Sequence, residues 1–263
     1  MKLSISNIAW SFEEDEMMYS FLKQVGFDGL EIAPTRIFID NPYDKKQEAL
    51  AFKANLQKKY NLEICSLQAI CFGKNEAIFG SELERNTIKN YVKQAIDFAK
   101  TINCKNLVFG SPKNRIIGEG QEEIAKAFFS DLAHYSEDNN TVLAIEPNPE
   151  IYGTNFLNTT QQTLDFVSAI PNKGLKVNID LGTMIHNDES LSILEYNLSQ
   201  INHIHISEPF LEPILKREIH KELYLLLKKN NYKNFVSIEM KNPNDIEKVK
   251  SAVYYIKDVF ERK

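Results

Sequence analysis

The chain has 263 residues, of which 43% are hydrophobic, 25% charged and 11% aromatic, and this excludes a disordered, collagen-like or disulfide-stapled protein. Its 31 basic and 36 acidic residues give a net charge of −5, which argues against a nucleic-acid partner because proteins that bind the phosphate backbone carry a basic field. Cys65, Cys71 and Cys104 show no CxxC spacing, so we expect reduced, mostly buried thiols and neither a disulfide framework nor a zinc site.

The N-terminus shows no targeting signal. It reads MKLSISNIAWSFEEDE, with one lysine, a short mixed stretch and then acidic residues, whereas a secretory signal needs an apolar segment behind its basic end. The apolar stretches elsewhere fall far short of the ~18 residues that a membrane helix requires. We therefore expect a soluble, cytoplasmic protein with no membrane partner.

Strand-like and helix-like patterns alternate along the whole chain. The predicted strands are Lys2–Ala9, Gly29–Ala33, Glu63–Ala69, Asn106–Phe109, Val142–Glu146, Lys176–Asp180, His203–Ile206 and Phe235–Glu239. The predicted helices are Glu14–Val25, Lys45–Lys59, Leu83–Thr101, Glu122–Glu137, Thr160–Ala169, Leu191–Leu198, Arg217–Lys229 and Asp245–Glu261. Asp44 is the predicted N-cap of the second helix, and Thr159 or Thr160 that of the fifth.

Eight strands alternating with eight helices, without a flexible linker, predict an α/β fold: a single (β/α)8 TIM barrel over residues 1–263. A doubly wound open sheet is the alternative, but it normally carries a Gly-rich phosphate-binding turn after its first strand. The first strand here ends Asn-Ile-Ala-Trp, without glycine. In a barrel, the functional residues are expected at the C-terminal ends of the strands.

Polar side chains occupy four consecutive strand ends, where a barrel core would prefer Val, Ile or Leu. They are Glu146, Asp180, His205 and Glu239, on strands five to eight. Three converging carboxylates would repel one another, and a divalent cation removes that repulsion. One imidazole with carboxylates suits Mn, Zn, Co or Mg. His203 shares a strand face with His205, and we interpret it as a deeper barrel residue.

The segment after strand four carries two cationic side chains, Lys113 and Arg115. An arginine fork and a lysine point charge together suit a phosphate or carboxylate of the substrate, although a solvated loop with a structural arginine is the alternative. The spacing does not match the GxxxxGK[ST] pattern of a Walker loop.

Further candidates for substrate binding follow other strands. Trp10 ends the first strand and either stacks on a sugar ring or plugs the barrel. Gln68, on the third strand, is a candidate hydrogen-bond partner for a hydroxyl. Glu208 follows the seventh strand, and His186 lies six residues after Asp180, within reach if the chain folds back.

The chain resembles the xylose-isomerase-like barrel superfamily over essentially its whole length, and within it the sugar phosphate isomerase/epimerase group. The strings that carry the resemblance, beside the four strand-end residues, are GFDGLEIAPT (26–35), FGSPKNR (109–115), AIEPNP (144–149), NIDLGTM (178–184), HIHISEP (203–209) and VSIEM (236–240). It implies carbohydrate metabolism and one divalent metal held by Glu146, Asp180, His205 and Glu239. Glu146 and Glu239 would then be catalytic, one removing a proton beside a carbonyl and the other returning one to the opposite face.

Two positions depart from the ketose 3-epimerases of that superfamily. Those enzymes carry His three residues after the sixth-strand Asp, where this chain has Thr183, and Arg six residues after the seventh-strand His, where it has Leu211. Both positions help to hold the substrate there, which argues against a simple free-ketose 3-epimerase. Epimerisation and aldose–ketose isomerisation stay open, because the same four residues serve both.

Three other functions compete with a sugar isomerase or epimerase. A dehydratase or lyase acting on a keto-sugar or keto-inositol shares the enolate chemistry. A non-catalytic ligand-binding barrel would keep only the metal. An abasic-site endonuclease is disfavoured, because its multi-metal cluster uses histidines on early strands and all five histidines here lie in the second half of the chain. Barrels of this kind often pair through helices or rim loops, so a homo-oligomer stays open.

Overall fold

Eight parallel strands close into a barrel in chain order, with the last strand paired to the first. The computed structural model describes residues 1–261, so residues 262 and 263 of the predicted domain lie outside the described residues. The strands are β1 (Lys2–Ser6), β2 (Gly29–Ile32), β3 (Glu63–Leu67), β4 (Asn106–Phe109), β5 (Val142–Ile145), β6 (Leu175–Asp180), β7 (Ile201–Ile206) and β8 (Phe235–Ile238). The predicted (β/α)8 barrel is confirmed.

Helices surround the barrel. Over residues 1–261 the α-helices are α1 (Asp15–Val25), α2 (Pro34–Ile37), α3 (Lys46–Asn55), α4 (Glu82–Thr101), α5 (Glu122–Asp138), α6 (Thr160–Ser168), α7 (Leu181–His186), α8 (Glu218–Lys229) and α9 (Ile246–Phe260). A π-helical segment, Leu56–Tyr60, prolongs α3, so the predicted second helix has nearly its full length.

The predicted helix Leu191–Leu198 is wrong. Its residues form only short 3-10 turns, Leu191–Leu194 and the start of Leu198–Gln200. The connection from β6 to β7 places its α-helix earlier, as α7, because the side chain of Asp180 accepts a hydrogen bond from the backbone N–H of Thr183 and caps a helix directly at the strand end.

One of the predicted caps is confirmed and one is wrong. Thr159 caps α6 through a capping box, in which its hydroxyl accepts from the N–H of Gln162 and the Gln162 side chain accepts from the N–H of Thr159. Asp44 instead lies in the 3-10 turn Pro42–Asp44, and α3 begins after Lys45 without a side-chain cap.

The apolar core lies outside the barrel, between the strands and the helices. Successive residues of a strand face opposite sides, and in β7 the fully buried Ile204 and Ile206 belong to this core while His203 and His205 face inward. Cys65, Cys71 and Cys104 are buried free thiols, as predicted. Within residues 1–261, no helix combines the length and the hydrophobicity needed to traverse a bilayer.

The inside of the barrel is polar, although TIM barrels usually fill this space with branched apolar side chains. Hydrogen bonds and ion pairs between residues of strands that are not neighbours cross it: Gln68, directly after β3, donates to Ser6 of β1, and Glu31 of β2 contacts His205 of β7. We call the following buried residues the polar lumen: Ser6, Glu31, Gln68, Asn106, His203, His205 and Ser237.

Candidate metal centre

Four side chains meet at the carboxyl ends of β5 to β8. Glu146 and Glu239 follow β5 and β8, Asp180 ends β6, and His205 lies opposite Asp180 in the register of β7. One donor atom from each residue lies within 4.8 Å of the others. The Nδ1 atom of His205 is 2.8 Å from Glu146 Oε1 and 3.1 Å from Glu239 Oε2. The structure thus brings together the four residues that were selected from the sequence because they lie at strand ends.

The cluster is crowded with negative charge. Burial, reinforced by the neighbouring Glu146, raises the pKa of Asp180 to about 6, and burial raises the pKa of Glu239 to about 7. Burial lowers the pKa of His205, but the carboxylates of Glu239 and Glu31 outweigh it and hold that pKa well above its usual range. A further positive charge at this point would relieve the repulsion.

The donor set fits one divalent cation. Three carboxylates and one imidazole nitrogen are ligands that Mn, Zn, Co and Mg accept in proteins. The backbone leaves room for them: a Cβ on Gly110 would lie 2.7 Å from Glu146 Oε2, so any larger residue would press on this carboxylate. The residues that would hold the cation are Glu146, Asp180, His205 and Glu239.

Neighbouring side chains fix the orientation of the carboxylates. Asp180 accepts from the N–H of Thr183 at 2.6 Å and from the hydroxyl of Ser207. Asn178 donates to Glu146 Oε1 at 2.6 Å, and Asn148 lies 3.3 Å from Glu146 Oε2 as a second donor. Asn178 was not among the predicted site residues, although its position two residues before Asp180 on the same strand face was a usable signal.

Glu31 lies below the cluster, fully buried in the polar lumen. Its Oε2 atom accepts a hydrogen bond from His205 Nε2 at 3.1 Å, and His203 Nε2 lies 3.0 Å from the same carboxylate, with its N–H not aligned to it. Burial raises the pKa of Glu31, but the two imidazoles outweigh burial and hold it well below its usual range.

A cavity of about 210 Å³ opens directly onto the cluster. Its lining combines three cluster carboxylates with neutral polar and apolar groups, and no Lys or Arg is among the described residues that form it. These are Gln68, Ala69, Val108, Gly110, Ser111, Pro112, Glu146, Asn148, Tyr152, Asp180, Leu211 and Glu239. We call this space the cluster cavity.

The two cationic candidates lie in different surroundings. Lys113 is exposed and lines an adjoining cavity of about 460 Å³, which shares Ala69, Ser111 and Pro112 with the cluster cavity. Arg115 is fully buried, and its Nη2 donates to the backbone carbonyl of Glu146 and to Asn148 Oδ1, both at 2.7 Å. Burial lowers the pKa of Arg115 to about 10, although Glu146 opposes this. Arg115 therefore supports the backbone behind Glu146 and does not line the cluster cavity.

Of the other four predicted substrate-binding residues, one lines the cluster cavity and three do not. Gln68 lines the cluster cavity. Trp10 is buried and donates through Nε1 to Asp15, 2.8 Å away. Glu208 forms a bidentate ion pair with Arg217, and His186 is exposed at the end of α7. The structure places Trp10, Glu208 and His186 outside the cluster cavity.

The two departures from the ketose 3-epimerase pattern differ in their placement. The buried hydroxyl of Thr183 donates to the carbonyl of Pro147 and does not line the cluster cavity. Leu211 does line it, at φ +55° in the left-handed region, directly after Phe210 at φ +61°. The wall that the segment after β7 contributes is therefore apolar.

A closed parallel barrel with a carboxylate–imidazole cluster at its carboxyl end defines a class of (β/α)8 proteins whose chemistry is expected at that end. A family model described as the xylose isomerase-like TIM barrel matches residues 19–259. The chain belongs to this family, which confirms the resemblance found in the sequence. A search of curated proteins gave no match.

Solved structures with the same fold include three that cover nearly the whole chain. The 3-keto-D-glucoside 4-epimerase YcjR from E. coli is 18% identical, with a TM-score of 0.79, over 98% of this chain and 99% of that one. D-psicose 3-epimerase from Clostridium cellulolyticum H10, solved with D-tagatose, is 16% identical, with a TM-score of 0.80, over 100% of both chains. The IolI protein with a bound zinc atom is 16% identical, with a TM-score of 0.73, over 100% of both chains.

Proposed function

We propose that this protein is a divalent-metal-dependent isomerase or epimerase that acts on a sugar or sugar phosphate, with Glu146 and Glu239 as its proton-transfer groups. The observation that carries the proposal is the convergence of these carboxylates, from β5 and β8, on one cavity around His205 Nδ1. Support comes from the names of similarly folded proteins, which are sugar epimerases, and from the zinc in one of them.

A divalent cation held by Glu146, Asp180, His205 and Glu239 would supply Lewis acidity that polarises a substrate carbonyl and eases loss of the neighbouring proton. One of the two glutamates accepts that proton, and the other carboxyl donates a proton to the opposite face of the same carbon, which inverts it. Return of the proton to the adjacent carbon gives isomerisation. Gln68 and Asn148 line the same cavity and offer neutral hydrogen bonds to sugar hydroxyls.

The adjoining cavity favours a substrate with an anionic substituent. Its lining contains Lys74 and Lys113 and no carboxylate among the described residues, whereas the cluster cavity contains carboxylates and no cation. The two cavities share Ser111 and Pro112, so a sugar with its carbonyl at the cluster can extend a phosphate or carboxylate towards Lys113. Lys113 is thus the one sequence-predicted cationic candidate whose ammonium group is open to a ligand.

The test is proton exchange between solvent and substrate, followed in D₂O with the Mn²⁺- or Co²⁺-loaded protein across ketoses, aldoses and their phosphates. We expect Glu146→Gln and Glu239→Gln each to reduce exchange more than ~100-fold, because each removes an acid–base group, while the fold is retained. Glu150→Gln, an exposed carboxylate near the same rim, is the matched control. Near-normal exchange in both cluster variants would overturn the two-carboxylate proposal.

The anionic substituent is tested with a matched pair of substrates, one sugar with and without its phosphate. Lys113→Met should raise KM for the phosphorylated member by about 10-fold or more, because a charge-assisted contact is lost, and leave KM for the free sugar unchanged. Lys58→Met, an exposed lysine outside both cavities, serves as control. An equal effect on both substrates would contradict the proposed role of Lys113.

A further inference from the structure

We infer that Glu31 is a positioning residue for His205: it holds the imidazole across the polar lumen with Nε2 protonated, so that Nδ1 presents its lone pair to the cluster. The inference rests on the proposed function in one respect, that the cluster binds a divalent cation. It does not depend on which sugar reaction follows. Nothing in the sequence patterns assigns Glu31 this role.

The direction of the Glu31 side chain follows from its place in β2. Glu31 stands between Leu30 and Ile32, which belong to the apolar core outside the barrel, and successive residues of a strand face opposite sides, so Glu31 faces inward. The Glu31 carboxylate thereby reaches across the barrel to β7, where His205 Nε2 lies 3.0 Å from Oε1 and 3.1 Å from Oε2. Both residues are fully buried, so their contact is shielded from solvent.

A neutral imidazole has one N–H and one lone pair, and the partner of one nitrogen decides the state of the other. An ionised carboxylate against Nε2 accepts a hydrogen bond, which keeps the proton on Nε2. When a cation takes the place of the second proton of the imidazole, the lone pair is then on Nδ1, the nitrogen that lies 2.8 Å from Glu146 and 3.1 Å from Glu239. The imidazole is therefore both oriented and held in the tautomer that a ligand to the cluster cation needs.

Glu31, His203 and His205 also form a second group of donor atoms within 4.8 Å of one another. A second cation there would have to bind Nε2 of His205, although an imidazole bound through Nδ1 keeps its proton on Nε2. The short distances between Glu31 and the two histidines need no second cation. A buried carboxylate needs hydrogen-bond donors, and His205 supplies one, while His203 Nε2 lies 3.0 Å from the same carboxylate. We therefore assign Glu31 as an acceptor and not as a metal ligand.

An amide at this position tests the assignment with little change in shape. A glutamine has no negative charge: its amide oxygen accepts from Nε2 more weakly than a carboxylate does, and its NH₂ group, if turned to Nε2, moves the proton to Nδ1 and removes the lone pair from the cluster. Loss of such a partner typically weakens metal binding about 10- to 100-fold. Ser237→Ala is the matched control, because the Ser237 hydroxyl lies 3.4 Å from Glu31 Oε1 and its loss leaves the carboxylate in place.

The experiment is calorimetric titration of the metal-free full-length protein with Co²⁺, with the cobalt absorption spectrum and the melting temperature of each variant as further readouts. We expect one equivalent in the wild type, a Kd raised 10- to 100-fold in Glu31→Gln, and a Kd within twofold in Ser237→Ala. Glu31→Asp keeps the negative charge but moves it farther from His205, so its Kd should lie between those of Ser237→Ala and Glu31→Gln. It replaces Glu31→Gln in the test if the Glu31→Gln protein does not fold.

Three results would overturn the inference. A folded Glu31→Gln protein with wild-type Kd would show that Glu31 does not position the ligand. Two equivalents in the wild type, one of them lost in Glu31→Gln, would make Glu31 itself a ligand. A wild type that binds no Co²⁺ would overturn both this inference and the proposed metal dependence. Weaker Co²⁺ binding in Glu31→Gln, together with no turnover of any sugar by the wild type, would instead contradict only the proposed reaction.

Discussion

Gly110 shows how much the candidate centre depends on one missing side chain. It follows β4, and a Cβ there would lie 2.7 Å from Glu146 Oε2 and 3.5 Å from Asn148 Oδ1. The carboxylate that the Cβ would displace is held at its other oxygen by Asn178, 2.6 Å away. Glu146 therefore cannot retreat without losing a hydrogen bond in a buried site.

Gly110→Ala should weaken Co²⁺ binding and proton exchange by about 10-fold or more, because overpacking a buried site typically costs about 1–3 kcal/mol. Gly118→Ala is the control, since the added Cβ would there meet only the side chain of Gln121, at 3.0 Å. Calorimetry of both variants decides the question. Unchanged Co²⁺ affinity in Gly110→Ala would mean that Glu146 is free to move aside.

The sequence predicts the residues that end strands better than those that contact them across the barrel. Glu146, Asp180, His205 and Glu239 could be selected because each interrupts or ends an apolar strand, and the structure brings them together. Glu31 could not be assigned a partner, because its contact with His205 joins two strands that are not neighbours in the barrel, 174 residues apart in the chain. Spacing likewise gave no sign that Lys113 faces a cavity while Arg115, two residues later, turns under Glu146.

At the scale of elements, periodicity located the long helices and strands to within a few residues. The N-caps were harder to predict, because a residue of a suitable type can belong to a neighbouring turn or strand instead. Asp44 has a good cap residue type, yet Pro42 draws it into a 3-10 turn before α3 begins. The short α7 was missed because its cap, Asp180, is also the last residue of a strand. Thr159 was predicted correctly because Gln162 completes the capping box.

Thr159→Ala should lower the free energy of unfolding by about 1 kcal/mol, because it removes the N-cap acceptor of α6. The melting temperature should fall by about 2–4 °C for a chain of this size. Gln161→Ala, on the same helix but outside the capping box, is the control. Thermal unfolding of the metal-free proteins measures the difference, and equal melting temperatures would show that the box contributes nothing.

At the scale of the whole molecule, one histidine links stability to pH. His220 of α8 contacts α9, where its Nδ1 lies 3.0 Å from the hydroxyl of Tyr255. Burial lowers the pKa of His220 from 6.5 to about 4 despite the opposing charge of Glu208. Arg217 adds to the lowering. Between these two pKa values the unfolded chain binds a proton that the folded chain does not, so stability falls as the pH falls through this window.

His220→Gln should remove this contribution, which amounts to about 3 kcal/mol between pH 7 and pH 4. We therefore expect the urea midpoint of the wild type to fall more steeply with decreasing pH than that of the variant. Both proteins should be measured metal-free, so that protonation of the cluster affects them equally. Parallel pH profiles would show that the pKa of His220 is the same in the folded and the unfolded chain.

The polar lumen has a consequence for how such a protein can change over evolutionary time. Burial of apolar surface is the main favourable contribution to folding, and here it lies between the strands and the helices, with fully buried residues such as Ile204 and Ile238. Exchanges at residues that line the cluster cavity but lie outside this core, such as Gln68 and Leu211, leave that burial intact. The residues of the candidate site and the residues that stabilise the fold thus lie in separate layers, inside and outside the barrel. Substitutions inside the barrel can change the substrate while selection preserves the apolar core outside it.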